Sequence, residues 1–203
     1  MGTDGDTAAV LDALLGHVAF DGWNAAALGR ALADVGRAPE DAALLFPGGA
    51  GEMIEAFFGL SFARKEAAAG VADLAAFRTP GRVRAILTIW FEQNAGHKEA
   101  VRRALGWLAL PRNLPRALRI KAGMADAVWH AAGDKSADFS WYTKRGILAA
   151  IFGAALLFWV NDRSGDEEAV LWFVDRRLAD VAWLGGLRKR VEGRVRGRRF
   201  GVG

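Results

Sequence analysis

Apolar residues recur along this chain at intervals of three and four positions, the spacing that places them on one face of an α-helix. In the first predicted helix, for example, Val10, Leu14 and Val18 share a face. No segment alternates polar and apolar residues over the length of a strand. The pattern therefore predicts an all-α protein of nine helices, in which three short helices precede six longer ones.

Local signals predict several of the helix ends. Pro39 is followed by two acidic residues and predicts the start of the third helix, because proline and acidic side chains both suit a first helical turn. The long fourth helix is predicted from about Glu52 to Phe77. Ser164 and Glu167 have the spacing of a capping box, which predicts the start of the ninth helix.

The order of these helices predicts three segments. Residues 1–50 form a small helix-turn-helix-like bundle, residues 51–186 a larger helical ligand-binding domain, and residues 187–203 a basic amphipathic tail. Two helices, a tight turn, a short third helix and then a long helix is also the layout of TetR-type repressors, whose short third helix enters the DNA major groove. We therefore predict a TetR-like fold.

The charge of the N-terminal segment argues against the function of such repressors. Residues 1–58 carry nine acidic and two basic residues, and the predicted third helix, Glu40–Phe46, has no basic residue. A DNA-binding surface needs cations against the phosphates, so this one should repel DNA, and we expect no nucleic-acid partner. A TetR-type regulator that senses a lipid and binds DNA stays open as the alternative.

Two other segments are strongly basic. Residues 78–121 hold ten basic and two acidic residues, which suit a solvated face, a membrane or an acidic partner. In residues 188–203, seven basic residues against one acidic residue surround a thin apolar strip, a pattern that suits an anionic membrane surface. The predicted membrane-binding residues are Leu187, Arg188, Val191, Arg194 and Val195.

The most apolar stretch, Ile147–Val160, is fourteen residues long and has charged residues at both ends. A bilayer span needs roughly 20 apolar residues, so we expect a buried helix. Small residues and large aromatic residues are mixed along it, which favours a slot for an apolar lipid tail, although for any single residue core packing is the favoured explanation. The predicted lipid-binding residues are Trp90, Phe91, Trp129, Phe152, Leu156 and Trp159, with Phe158 as a further candidate.

The chain offers few groups for catalysis. It has no cysteine, which excludes disulfides, thiol nucleophiles and thiolate-bound metals. Asp126, His130 and Asp134 are spaced four residues apart, so they could share a helical face and hold a metal or act as an enzyme's site. A histidine between two acids is more often a structural residue, and we therefore expect no metal, no cofactor and no enzymatic activity.

Residues 126–163 resemble the core signature of the ninth coenzyme Q biosynthesis protein family. The resemblance rests on Trp129–Asp134 (WHAAGD), Asp138–Arg145 (DFSWYTKR) and Asn161–Arg163 (NDR). Upstream, the segments Phe20–Trp23, Leu45–Pro47 and Leu110–Pro115 also match, and the resemblance extends from about His17 to Val181.

This resemblance implies a protein that does no chemistry itself. A family member binds an isoprenoid quinone precursor or other lipid and presents it to the di-iron hydroxylase that acts on demethoxyubiquinone. The implied contact with that hydroxylase is formed by Asp138, Trp141, Tyr142, Lys144 and Arg145. Since no mitochondrial presequence is evident, we expect a bacterial member, cytoplasmic, homodimeric and peripherally associated with the inner membrane.

Overall fold

The fold is helical wherever it is defined. The computed structural model describes residues 3–71, 77, 79–131, 139–164, 166 and 168–181. Its helices are α1 (Thr3–Asp21), α2 (Ala25–Asp34), α3 (Asp41–Leu45), α4 (Ala50–Val71), α5 (Thr79–Gln93), α6 (Lys98–Leu108), α7 (Leu114–Ala131), α8 (Phe139–Asn161) and α9 (168–181). Short 3₁₀ turns, Ala95–His97 and Pro111–Asn113, precede α6 and α7. The described residues contain no strand, and the predicted all-α class is confirmed.

Helices α1 and α2 form the antiparallel start of the N-terminal bundle. The predicted stripe of α1 is buried, with Val10, Leu14 and Val18 fully inaccessible. Helix α2 begins after Asn24, whose side-chain oxygen accepts a hydrogen bond of 2.9 Å from the amide of Ala27, as an N-cap residue does.

Two predicted helix starts are displaced. Helix α3 begins at Asp41 rather than Pro39. The carbonyls of Ala38 and Pro39 accept hydrogen bonds from the amides three residues later, so the chain just before α3 forms 3₁₀-type turns instead of an α-helical turn. Helix α4 begins at Ala50, two residues before the predicted start, since the Glu52 carboxylate reaches back and accepts a 2.6 Å hydrogen bond from the Gly48 amide.

The end of α4 also differs from the prediction. Helix α4 ends at Val71, and Phe77, its predicted last residue, lies in a bend with its side chain 51% exposed. The helical spacing of Phe77 therefore did not predict its position correctly. A single large apolar side chain can be exposed on the surface of a folded protein.

Contacts divide the chain into two compact units, residues 1–149 and 150–203. In the first unit α4 packs against α1, α5 and α7, and α1 packs against α2 and α6. The indole N–H of Trp23 donates a 3.0 Å hydrogen bond to the carbonyl of Ala100 and so ties the N-terminal bundle to α6. The predicted three-segment division stays a prediction, and residues 187–203 lie outside the described residues.

The second unit contains the C-terminal part of α8 and helix α9. The ring of Phe158 stacks on that of Phe173 at 4.8 Å, and Val170 and Val174 are buried. Helix α9 is capped by Asp166, whose carboxylate accepts a 2.9 Å hydrogen bond from the amide of Glu168.

The predicted capping residue of α9, Ser164, links the preceding turn to the start of the helix. Its amide and hydroxyl both donate to the carboxylate of Asp162, at 3.1 and 3.0 Å, and its hydroxyl oxygen accepts a 3.2 Å hydrogen bond from the amide of Asp166. Glu167, the other predicted member of the capping box, lies outside the described residues. None of the helices in the described ranges is long and apolar enough to cross a membrane.

Candidate lipid-binding site

Two of the predicted lipid-binding residues, Trp90 and Phe91, lie in a buried aromatic cluster of the first unit. Trp90 is 0% exposed and Phe91 4%. Their ring centroids are 5.4 Å apart at 88°, and Phe62 from α4 stacks on Trp90 at 5.9 Å. These are the edge-to-face and offset geometries that aromatic rings prefer.

The polar tip of Trp90 is hydrogen-bonded inside this cluster. Its indole N–H donates to the hydroxyl of Ser61 at 3.1 Å, and that hydroxyl donates to the carbonyl of Phe58 at 3.0 Å. One turn beyond, the Asn94 side chain donates to the carbonyl of Trp90 at 2.8 Å. Both Ser61 and Asn94 are buried, so a short polar chain fixes the orientation of Trp90 in an apolar interior.

A second group of predicted residues lies on α8 in the second unit. Phe152, Leu156 and Trp159 are spaced at i, i+4 and i+7, share one helical face and are 2%, 3% and 8% exposed. A Cβ added at Gly153 would meet nothing within 4 Å beyond its chain neighbours and the helix backbone. Gly153 is half-buried and lies four residues before the exposed Leu157, so the space beside it opens toward the surface side of α8.

The opposite face of α8 is not buried, which modifies the expectation of an all-round apolar core helix. Leu157 is 57% exposed, and Trp172 on α9 is 60% exposed. The guanidinium of Arg176 lies 4.8 Å from the Trp172 ring centroid in a cation–π contact. The apolar residues of this unit thus divide into an interior set and a surface set.

The first unit also has a small pocket that the sequence pattern does not predict. It lies between α1, α4 and the end of α5 and is lined on its polar side by Asp12, Ser61, Arg64, Asn94 and His97. Arg64 and Asp12 form a bidentate ion pair with two contacts of 2.6 Å. The carboxylate raises the pKa of Arg64, by its hydrogen bond first and its charge second. The two residues are 52 positions apart, so no local motif could predict their contact.

The remaining predicted site residues are only partly described. Trp129 and His130 belong to α7, and Trp141, Tyr142, Lys144 and Arg145 to α8, but the positions of these side chains are not described. Asp134, Asp138 and the predicted membrane-binding residues of the tail lie outside the described residues. Asp126 is exposed on α7, and the described residues contain no group of three or more acids and histidines arranged for a metal.

Both basic side chains among residues 1–58 are engaged by carboxylates. Arg30 pairs with Asp21. Arg37 lies 2.8 Å from Asp41 and 3.3 Å from Asp6, and its hydrogen bond to Asp41 raises its pKa despite the opposing effect of desolvation. The positive charge of the N-terminal bundle is therefore neutralised within the bundle.

Comparison with known proteins identifies relatives of the C-terminal part of the chain. Residues 114–185 match the COQ9 family model. The mitochondrial ubiquinone biosynthesis protein COQ9 of Homo sapiens is 42% identical over 90 residues, which are 44% of this chain and 28% of that protein. COQ9-B of Xenopus laevis is 40% identical over 89 residues, 44% of this chain and 30% of the relative. The Schizosaccharomyces pombe protein is 37% identical over 116 residues, 56% and 45% of the two chains.

The matched segments span less than half the length of these relatives. The whole fold is similar to a TetR transcriptional regulator from Nitrosomonas europaea, with a TM-score of 0.71, 19% sequence identity, and coverage of 89% of this chain and 99% of that one. At this identity the likeness concerns the fold alone. The predicted fold and the resemblance noted in the sequence are thus confirmed: residues 114–185 of this chain match the COQ9 family model, and its fold is TetR-like.

Proposed function

We propose that this protein is a non-enzymatic accessory protein of ubiquinone biosynthesis, which binds an isoprenoid quinone precursor and presents it to the demethoxyubiquinone hydroxylase. The observation that carries this proposal is the COQ9 match over residues 114–185, because it includes most of the residues predicted for lipid and hydroxylase binding. The relatives that match this segment are named for ubiquinone biosynthesis.

The buried face of α8 supports the lipid-binding part of the proposal. Phe152, Leu156 and Trp159 present a continuous apolar surface, and Gly153, where an added Cβ would meet nothing within 4 Å, lies at its edge. An isoprenoid tail placed there would gain roughly 25 cal/mol for each Å² of apolar surface removed from water. Such a gain keeps a long tail out of water, since each added isoprene unit brings more apolar surface against the protein.

The start of α8 is the proposed contact with the hydroxylase. Trp141 and Tyr142 are consecutive in the sequence of this helix, and consecutive helical positions are about 100° apart, so we infer that at least one of the two is available to a partner. Aromatic residues next to Lys144 and Arg145 are the types that dominate the binding energy of protein interfaces.

Homodimer formation and membrane contact complete the proposal. Leu157 and Trp172 expose large apolar side chains in the second unit, and exposed surfaces of this kind are typical of subunit contacts. The basic tail from Leu187 to Val195 would hold the protein at an anionic surface, in keeping with a peripheral association with the inner membrane.

A DNA-binding regulator is the competing function, supported by the TetR-like fold. Its recognition helix would have to approach phosphates through α3, which contains an acid and no base. The ion pairs of Arg30 and Arg37 reduce the available positive charge further.

Organic extraction of the purified protein followed by lipid mass spectrometry tests the proposed function. Specific, saturable gel shifts with genomic fragments would instead favour the regulator.

A further inference from the structure

Three leucines on the surface of the first unit form a line that the proposed lipid site does not use. Leu110, Leu114 and Leu118 are four residues apart and are 39%, 54% and 57% exposed. They run from the turn before α7 into its first two turns. Leu114 and Leu118 lie one above the other on α7, and Leu110 is the extended residue before the 3₁₀ turn that leads into this helix; the three exposed leucines are called here the leucine strip.

The leucine strip is additional to the core-facing side of α7. Ile120, Met124 and Val128 form that side and are at most 8% exposed. Helix α7 packs against α4 and α5 within the first unit. A helix of a folded domain needs one apolar face, and α7 has a second one exposed to water.

Positive charge surrounds the leucine strip. Arg112, Arg119 and Lys121 are exposed, and Lys121 lies three residues after Leu118 and is therefore its neighbour on the helix surface. Within the part of the chain that the structure describes, neither Arg112 nor Lys121 pairs with a carboxylate, while Arg119 is 3.4 Å from Glu55. The sequence has no acidic residue between Glu99 and Asp126.

We propose that the leucine strip and its flanking cations form a docking surface for an anionic lipid bilayer, distinct from the basic tail and independent of the quinone cargo. Apolar side chains would enter the boundary between head groups and acyl chains, while the longer cationic side chains extend to the phosphates. The residue types favour a bilayer over a protein partner, because leucine is under-represented among the residues that dominate protein interfaces.

A single fluorescent label tests this surface directly in the full-length chain. The protein has no cysteine, so Leu118→Cys gives one site for an environment-sensitive dye. Leu44→Cys, at a leucine that is 79% exposed on acidic α3, is the matched control. With vesicles of phosphatidylcholine and phosphatidylglycerol, the emission of the label at 118 should shift to shorter wavelength, and that of the label at 44 should stay unchanged.

Three results of this experiment would overturn the proposal. Equal shifts at 118 and 44 would show that contact is not specific to this surface. A shift that appears when the protein is concentrated without vesicles would assign the leucine strip to a second copy of the chain. A shift produced by the purified hydroxylase and not by vesicles would assign it to a protein partner.

Charge reversal tests the electrostatic part of the surface. Arg112→Glu and Lys121→Glu should each weaken binding to phosphatidylglycerol vesicles by about fivefold or more per variant, with wild-type helical content by circular dichroism. Arg163→Glu makes the same change of charge at an exposed residue of the second unit and should weaken binding less. Equal losses of vesicle binding in all three variants would show that only the net charge of the protein matters, and would contradict a defined docking surface.

Discussion

Gly51 of α4 and Arg116 of α7 are in direct contact: a Cβ at position 51 would lie 2.6 Å from the guanidinium Nη1 of Arg116. It would also lie 2.8 Å from the ring of Trp107. Arg116 in turn lies 3.7 Å from Glu55 on α4. The absence of a side chain at Gly51 therefore lets the arginine cross the helix and reach its carboxylate partner.

Adding a methyl group at this contact should destabilise the fold. We expect Gly51→Ala to lower the free energy of unfolding by about 1–2 kcal/mol, because overpacking costs more than the helix propensity gained from alanine. Gly59→Ala is the matched control on the same helix, since nothing lies within 4 Å of a Cβ there, and it should raise stability by up to ~1 kcal/mol. Urea denaturation measures both, and a stabilised Gly51→Ala variant would contradict the described packing.

Removal of the Ser61 hydroxyl should cost stability through Trp90. Ser61→Ala deprives the buried indole N–H of its acceptor, and the expected loss is about 1–3 kcal/mol in the free energy of unfolding. In a double-mutant cycle, Trp90→Phe should reduce the further cost of Ser61→Ala, because phenylalanine has no N–H to leave unpaired. Additive losses from the two substitutions would exclude the hydrogen bond as their link.

The ion-pair cluster at Glu99 predicts a pH dependence. Hydrogen bonds from Arg102 and then Arg103, with their charges, lower the pKa of Glu99 from its ordinary value of 4.5. A lowered folded-state pKa means that the stabilisation is present above the unfolded-state pKa and is lost as pH falls through the folded-state pKa. Glu99→Gln should therefore differ in stability from the wild type more at about pH 7 than at about pH 3. A difference that grows on acidification would contradict this sign.

The proposed hydroxylase contact is tested by truncating its aromatic pair. Trp141→Ala combined with Tyr142→Ala should weaken capture of the purified hydroxylase by at least about tenfold, as loss of an aromatic anchor typically does. Phe20→Ala removes an aromatic side chain that is 83% exposed on α1 and should leave capture unchanged. Undiminished capture by the double variant, with equal helical content by circular dichroism, would refute this contact.

The positions of most helices followed from local periodicity. The residues of α5 that share one face in the sequence, Val83, Ile86, Leu87 and Trp90, are all at most 4% exposed. A helix that packs one face against the core carries apolar residues at helical spacing on that face. This spacing is visible in a single sequence, so the helix and its buried face can be predicted from it.

Contacts between distant residues could not be predicted in this way. The glycine at position 51 gives no local sign that an arginine 65 positions later will lie against it. Near the start of α9, Asp166 accepts a backbone hydrogen bond as Ser164 does, and this contribution of Asp166 is one that the Ser164–Glu167 spacing does not include. The exposure of the leucine strip could not be predicted for a different reason. Leucines at helical spacing predict burial, and only the packing of α7 shows which of its faces is covered.

The central claim is that the space beside α8 holds a quinone-type lipid, and lipid mass spectrometry of the purified protein tests it most directly. Wild type and Gly59→Leu should yield an isoprenoid quinone precursor on organic extraction, whereas Gly153→Leu, which places a bulky side chain at the edge of the face formed by Phe152 and Leu156, should yield much less while keeping its helical content. Wild-type protein that carries no such lipid, or a Gly153→Leu variant that carries as much as wild type, would contradict the claim.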